Sequence, residues 1–373
     1  MEKYFKGRIM YLNSAEISSR LISDLRLGLP IILNNRNVNY VAIAIETLQQ
    51  KRLTEVLNVA EEESLEIAIT NRRAEVLKAR LYNEQVTRLK MEKNITLNFL
   101  QATADPAQDL NFPYKGPFNS IRGGESIFAK IAIDLCKKAR LLPAALLVKV
   151  SKETKILLVQ NQVSHASTDS LSKQSYHSDL LSNFSSAKLP ISNKTEIELK
   201  VFRNLAELSE HYAIVFGDPS KLDSCITRIH SACFTGDLLD SKKCDCGEQF
   251  RAAISSLKEH GKGVLLYMNQ EGRGIGLANK MRAYHLQNIG FDTVEANHRL
   301  GFEDDERDLE IAAQILKALN LNKIELMTNN PRKIELLTKH GICVTGRIPL
   351  ITKANPKNKD YLYTKATKSG HLL

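Results

Sequence analysis

The sequence predicts a mixed α/β protein of two domains. With 373 residues, 43% of them hydrophobic and 25% charged, the chain has ordinary globular composition at a length that supports two cores rather than one. Its second half alternates short apolar runs with amphipathic stretches, the pattern of strands and helices in a mixed sheet domain. Residues 164–186 are rich in serine (Ser164, Ser167, Ser170, Ser172, Ser175, Ser178, Ser182, Ser185, Ser186) and lack apolar periodicity. That stretch reads as a linker between domains at 1–163 and 187–373.

In chain order, residues 17–33 give an amphipathic helix (Ile17, Leu21, Ile22, Leu25) ending near Gly28-Leu-Pro, then a strand at Ile31-Ile-Leu. A stretch rich in Glu, Arg and Leu from about Ala42 to Lys93 reads as helical. Asp105-Pro and Pro113 to Pro117 mark loops, Ala129 to Ala139 a helix, and Ala144 to Val150 a strand. Beyond the linker, strands are expected at Glu196 to Phe202, His211 to Phe216, Cys225 to His230, Gly263 to Met268 and Ile324 to Thr328. Helices are expected at Cys246 to His260, Leu277 to Ile289, Arg307 to Leu319 and Pro331 to His340.

No run of about eighteen apolar residues is present to span a bilayer, and Met1-Glu-Lys-Tyr-Phe-Lys-Gly-Arg lacks the apolar core of a secretory signal. A cytoplasmic protein with no membrane partner is expected. Lys and Arg number 52 against 42 Asp and Glu, a net charge of +10 that favours polyanions, either nucleic acid or nucleotide phosphates. Trp is absent and no basic-aromatic interleaving suited to base stacking occurs, so a nucleic-acid platform is disfavoured.

Five of six cysteines lie in the second half, and three fall within fourteen residues. Cys233 precedes Cys244-Asp-Cys246 by eleven and thirteen residues, a grouping that suits a soft tetrahedral metal, foremost Zn²⁺. Three ligands leave a fourth position for water, whose pKa the metal lowers to about 7, as hydrolysis requires. A structural zinc closed by Cys225, Cys343 or His230 fits the spacing equally well. Gln270-Glu-Gly-Arg-Gly-Ile-Gly-Leu277 joins an apolar strand to a helix, where backbone N–H groups can approach a phosphate or purine, although many such turns are only tight connections. Gly301-Phe-Glu-Asp-Asp-Glu-Arg-Asp308, taken alone, reads better as the charged start of a helix. Asn329-Asn-Pro-Arg-Lys333 offers a basic pair that holds phosphates or is merely exposed.

Together these segments resemble the GTP cyclohydrolase II family of riboflavin biosynthesis. The resemblance runs through Ala187-Lys-Leu-Pro190, Arg228 to Leu277, Thr293-Val-Glu-Ala-Asn-His298, Leu300-Gly-Phe302, Asp305-Glu-Arg-Asp308, Thr328-Asn-Asn-Pro331 and Gly370-His-Leu-Leu373, about half the chain. It implies that Cys233, Cys244 and Cys246 hold one catalytic Zn²⁺ per subunit, and that hydroxide attacks C8 of guanine to release formate. It further implies that Arg307 attacks the α-phosphate as pyrophosphate leaves, with Asp305 as proton acceptor and Tyr284 orienting the water. GTP contacts carry over as Arg228, Gln249, Glu271, Gly272, Arg273, Thr293, Thr328 and Lys333, with Mg²⁺ on the phosphates. A homodimer is expected. Family members commonly have Glu at Ala232, Arg at Lys243 and Arg at Asn269, so a GTP-binding relative with impaired turnover is the alternative.

The first half resembles 3,4-dihydroxy-2-butanone 4-phosphate synthase, the domain this cyclohydrolase is often fused behind, in Asp105-Pro-Ala-Gln-Asp-Leu-Asn111, Arg122-Gly-Gly-Glu-Ser126 and Ala139-Arg-Leu-Leu-Pro-Ala144. The synthase needs acidic residues after its first strand, yet no carboxylate lies between Leu33 and Ile45. It needs a histidine where Glu125 stands, and no histidine precedes His165. A degenerate domain, folded but inactive in that reaction, is expected rather than a bifunctional enzyme.

Overall fold

The computed structural model describes residues 12–61, 64–172, 181–204 and 209–351, and the single positions 363, 367, 370 and 372. Two sheets organise the molecule, in keeping with the mixed α/β expectation. The first is built from β1 (Ile31–Asn35), β2 (Val38–Ala44), β3 (Leu65–Thr70), β4 (Val86–Lys90), β5 (Ala144–Lys149) and β6 (His165–Ser167), in the order β4-β3-β5-β2-β1-β6. Its pairings are antiparallel except β1 with β6. The helix Ser14–Arg26, started by a capping box of Asn13 and Glu16, packs with the helix Ile127–Lys138 on one face of this sheet.

The second sheet is built from β7 (Leu181–Ser192), β8 (Thr195–Asn204), β9 (Ser209–Phe216), β10 (Cys225–Ser231), β11 (Gly263–Met268), β12 (Lys323–Met327) and β13 (Cys343–Ile348), in the order β13-β12-β10-β11-β9-β8-β7. β13, β12, β10 and β11 are parallel, and β9, β8 and β7 add antiparallel strands at one side. The near-continuous apolar run of β11 is what a parallel strand covered on both faces requires. The helix Cys246–His260 ends at Gly261, whose φ of 69° is the left-handed cap that lets the chain turn into β11.

Three expectations are corrected. The helix from Ala42 to Lys93 is instead β2, the helix Gln50–Val59, β3, the short helix Asn71–Val76 and β4. Charged residues that suggested a helix face are accommodated in the sheet: Glu66 on β3 and Arg88 on β4 are both buried and form an ion pair at 3.6 Å. Tertiary pairing overrides local propensity there. The 164–186 linker is also structured in part, since β6 and the helix Thr168–Ser172 belong to the first sheet and β7 already begins at Leu181. Residues 173–180 lie outside the described residues, as do most of the N-terminal segment and His371 and Leu373 of the closing motif.

The third correction is the helix at Arg307 to Leu319, which begins only at Glu310 because the Asp308 carboxylate accepts the Glu310 N–H at 2.8 Å. The helix Thr293–Arg299, with a capping box of Asp292 and Glu295, was not expected. No helix of the described residues is long and apolar enough to cross a membrane.

The two halves do not keep separate cores. Ile275, Ala283, Leu286, Ala296, Leu300 and Phe302 of the second half are buried in the same cluster as Ile45, Leu48, Ala74, Leu100 and Leu142 of the first. Thus the helices Leu277–Asn288 and Thr293–Arg299 close a face of the first domain while belonging, in sequence, to the second.

Candidate active site

Loops at the carboxyl ends of β10, β11 and β12 converge, the place where open parallel sheets form clefts. The loop after β10 carries Cys233, and Cys244 and Cys246 enter beside it at the start of the helix Cys246–His260. The three sulfur atoms lie within 4.8 Å of one another, with Cys233 and Cys244 Sγ 3.7 Å apart. Two glycines make room for this. A Cβ on Gly236 would sit 3.0 Å from Cys233 Sγ and 3.1 Å from Cys244 Sγ, and one on Gly247 would sit 2.0 Å from the Gly236 carbonyl oxygen. Three clustered thiols around a cradle that a methyl group would fill form a donor set suited to a soft metal ion. Among the described residues no fourth ligand joins them. Cys225 is buried on β10, Cys343 is exposed on β13, and His230 pairs with Asp237 at 3.1 Å.

Lys280, which sequence reasoning missed, reaches into this centre. Its Nζ donates to Cys233 Sγ at 3.1 Å, to Thr235 Oγ1 at 3.0 Å and to Glu271 Oε1 at 2.8 Å. Cys244, Cys246 and this ammonium hold Cys233 well below the usual thiol range, against the opposing effect of burial. The signal that could have found Lys280 is its spacing, four residues before Tyr284 and therefore on the same helix face. The Tyr284 ring lies 4.8 Å from Lys243 Nζ and 5.6 Å from Lys280 Nζ, and burial raises its phenol. Lys243, one of the departures from the family pattern, also donates to Asn288 Oδ1 at 2.7 Å.

One cleft is lined by Cys233, Cys244, Cys246, Glu271, Gly272, Arg273, Tyr284 and Thr293, eight of the expected site residues, and by Ala232. Glu271 is anchored from both sides, its Oε2 accepting the Phe234 N–H at 2.6 Å and its Oε1 the Gly272 N–H at 3.0 Å. Gly272 and Arg273 have φ of 64° and 61°, so this turn between β11 and the following helix is held in the left-handed region.

The remaining six expected residues fall around the same strand ends. Arg228 on β10 is buried, donates to Gln249 Oε1 at 2.7 Å and to the Met327 carbonyl at 2.9 Å, and is pushed down to about 10 by burial. Lys333 Nζ donates to the Ile229 carbonyl at 3.0 Å, and Thr328 Oγ1 accepts the Asn330 N–H at 3.0 Å. Asp305 and Arg307 form a two-pronged pair, Nε to Oδ1 at 2.7 Å and Nη2 to Oδ2 at 2.5 Å. Burial would raise the Asp305 carboxyl, but Arg307 outweighs it and holds it below its usual range. Arg307 Nη1 also donates at 3.2 Å to Ser231 Oγ, a residue lining the cleft. The Asp and Arg of the acidic segment thus face the site rather than starting a helix.

A buried polar group backs the thiol cluster. Asp237 Oδ2 accepts the Cys233 N–H at 2.9 Å and the Tyr267 hydroxyl at 2.9 Å, while its carboxylate pairs with His230 Nε2. Sequence reasoning weighed His230 only as a ligand; here it fixes the carboxylate that holds the Cys233 backbone.

The arrangement is a cluster of three thiols opening into a cleft that holds a carboxylate, an arginine and a tyrosine, Glu271, Arg273 and Tyr284. A family model for GTP cyclohydrolase II matches residues 182–349. A protein of Azospirillum brasilense named GTP cyclohydrolase-2 is 39% identical over 348 residues, covering 90% of this chain and 87% of that one. The GTP cyclohydrolase-2 of Cronobacter sakazakii is 56% identical over 172 residues, covering 46% of this chain and 87% of its own. Among solved structures, a two-domain 3,4-dihydroxy-2-butanone 4-phosphate synthase from A. baumannii aligns with 90% of this chain and 99% of that one at 15% identity and a TM-score of 0.31, too loose a superposition to fix the topology of either half. The chain belongs to the GTP cyclohydrolase II family, hydrolases of riboflavin biosynthesis.

Proposed function

We propose that the chain is a zinc-dependent GTP cyclohydrolase II that converts GTP and water to 2,5-diamino-6-ribosylamino-4(3H)-pyrimidinone 5′-phosphate, formate and pyrophosphate. The observation that carries this reading is the three-thiol cluster opening into the same cleft as Glu271, Arg273 and Tyr284. Cys233, Cys244 and Cys246 would hold the zinc, which when bound supplies Lewis acidity and an acidified water. Glu271 offers a carboxylate to the N–H donors of guanine, and its two backbone anchors fix the carboxylate before the base arrives. Arg228, Arg273 and Lys333 supply positive charge for the triphosphate, and Gly272, Gln249, Thr293 and Thr328 supply neutral polar contacts. Mg²⁺ is expected to arrive with the phosphates.

For the phosphate end, Arg307 is the group expected to attack the α-phosphate. Its fork to Asp305 supports that role, because a guanidinium that forms a bond to phosphorus must lose a proton, and the carboxylate is already in hydrogen-bond contact with it. The pyrophosphate departs with the electron pair of the broken P–O bond, and water then cleaves the P–N bond, giving the 5′-phosphate and returning Arg307 with a proton handed back by Asp305. Tyr284 is expected to orient water at the base, a role supported by its lining the same cleft as the three thiols.

The first domain is proposed to be a degenerate relative of the synthase. The β1–β2 turn and the 122–126 loop come together at Asn35 Nδ2 and Glu125 Oε2, 3.4 Å apart. Among the described residues no group of three acidic or histidine side chains stands at that meeting point to move protons. Domain limits near 1–163 and 187–373 remain the proposed division of the sequence, although the cores interlock. A homodimer is supported by β7, a long edge strand whose Phe184, Leu189 and Ile191 are exposed.

The test is a zinc assay and GTP turnover on one purified sample, scoring formate and the diaminopyrimidine, with Cys244→Ser as control. Formate release that disappears in the variant supports the reading. Bound zinc and GTP without formate would instead favour a binding relative in which Ala232, Lys243 and Asn269 have silenced turnover.

A further inference from the structure

The two loops that carry the proposed chemistry are fastened to each other. Arg273 Nη1 donates to the Asp304 carbonyl at 3.1 Å, the Glu306 N–H donates to the Arg273 carbonyl at 2.9 Å, and Gln270 Nε2 donates to the Asp308 carbonyl at 2.9 Å. Gly274 lies so close that a Cβ there would meet the Glu306 carbonyl oxygen at 2.6 Å. The 270–276 turn and the 303–308 segment are therefore held together by three hydrogen bonds and a close backbone approach.

That pair of segments is fastened, in turn, to the first domain. Arg140, which ends the turn after the helix Ile127–Lys138, has a φ of 60° and donates from Nη2 to the Asn269 carbonyl at 2.8 Å. Its own carbonyl accepts from Asn279 Nδ2 at 3.1 Å, and that same amide group donates to the Ile275 carbonyl at 3.0 Å. Its side-chain stem lies against Gly276, where a Cβ would approach Arg140 Cβ to 3.1 Å. One residue thus grips the start, the end and the following helix of the 270–276 turn. Lys137, three residues before it, pairs with Glu306 at 2.6 Å, and Arg72 pairs with Glu303 at 2.9 Å. A shared apolar cluster lies beneath, joining Ile275 and Phe302 to Leu142.

We propose that the first domain serves the cyclohydrolase as a positioning frame, and that Arg140 is the positioning residue that sets the Glu271–Arg273 turn. A degenerate domain kept for this purpose needs no catalytic groups of its own. What it needs is a rigid edge: a residue in the left-handed region, fixed by the helix behind it, presenting a guanidinium to a carbonyl at the root of the turn. The inference rests on the proposed reaction, and its measurement is chosen to be separable from it.

The test uses the full chain with Arg140→Gly, which keeps the left-handed backbone and removes the guanidinium and stem, Arg140→Lys as the conservative variant, and Arg52→Ala as a control remote from the seam. Zinc per chain, kcat and KM for formate release, and amide hydrogen exchange over residues 269–277 are recorded for each. Expected for Arg140→Gly is a fall in kcat/KM of about ten- to a hundredfold with zinc content unchanged, together with faster exchange in the turn and partial recovery in Arg140→Lys. Wild-type kinetics and exchange in Arg140→Gly overturn the inference. Should the wild type release no formate, the proposed reaction fails, while faster or unchanged exchange in Arg140→Gly still decides the positioning role. Should Arg140→Gly fail to fold, Arg140→Asn, which tolerates the left-handed backbone and lacks the guanidinium that reaches the Asn269 carbonyl, takes its place under the same two criteria.

Discussion

Lys280 Nζ stands 3.1 Å from Cys233 Sγ and 2.8 Å from Glu271 Oε1, so a single buried ammonium joins the thiol cluster to the carboxylate proposed to read guanine. Against the burial that would lower it, Tyr284, Cys233 and Glu271 hold its pKa above the ordinary value. Removing one partner of such a pair leaves the other buried and uncompensated. Lys280→Met is therefore expected to lower stability and to reduce formate release by at least tenfold. The double variant Lys280→Met/Glu271→Gln should recover part of the stability, with a coupling of about 1–3 kcal/mol in a urea-melt double-mutant cycle. Additive losses in that cycle would show that the two side chains do not interact.

Gly236 is expected to be as sensitive as the cysteines themselves. Its missing Cβ leaves the space between Cys233 Sγ and Cys244 Sγ, so Gly236→Ala forces the thiols apart rather than straining the backbone. Zinc per purified chain should drop well below one in this variant. A Gly261→Ala control, at a position where a Cβ meets nothing within 4 Å, should keep its zinc and lose only the modest stability that a left-handed cap costs.

These two cases mark what could be read from the sequence. The Cys233, Cys244 and Cys246 spacing was visible because thiols are rare and their chemistry is narrow. Lys280 carried only its four-residue spacing from Tyr284, which has no meaning for one lysine among many until folding buries it against a thiolate. The strands of the second sheet were legible where an apolar run such as Gly263 to Met268 had to be covered on both faces. The 42–93 segment was misread because Glu66 and Arg88 neutralise each other across adjacent strands, a relation that no local window contains. Least legible was the shared core: Ala283, Leu286 and Ala296 announce a buried helix face, but nothing in their spacing says that the first domain covers it.

The seam should also make the protein sensitive to acid. His211 is fully buried, its Nδ1 accepting the Asn269 N–H at 3.1 Å and its Nε2 lying 3.3 Å from Ser209 Oγ. Burial, and secondarily the charge of Arg140, lower it from 6.5 to about 4. Below 6.5 the unfolded chain takes up a proton that the native ring refuses, so this contribution is intact above 6.5 and is lost as the pH falls from there to about 4. Between pH 7.5 and 5 the loss should be about 2 kcal/mol in urea unfolding. His211→Asn, which can still accept the Asn269 N–H but does not titrate there, should show a loss smaller by that amount. Equal pH slopes in the two proteins would remove His211 from the account.

The Asp305 and Arg307 fork separates binding from chemistry. Asp305→Asn keeps the size of the side chain and one acceptor for the guanidinium, but removes the charge that would take up its proton. Because neither prong of the fork contacts Glu271, recognition of the base should survive. The expected result is a kcat lower by about 10²- to 10⁴-fold with KM changed far less. Formate and pyrophosphate should be scored separately, since the proposed roles place Asp305 at the phosphate end and the thiol cluster at the base. Loss of pyrophosphate with formate retained would show the two steps to be independent. Loss of both would mean that the phosphate step must come first for the base to be opened, and a KM that rises in proportion to the fall in kcat/KM, with kcat unchanged, would reassign Asp305 to binding alone.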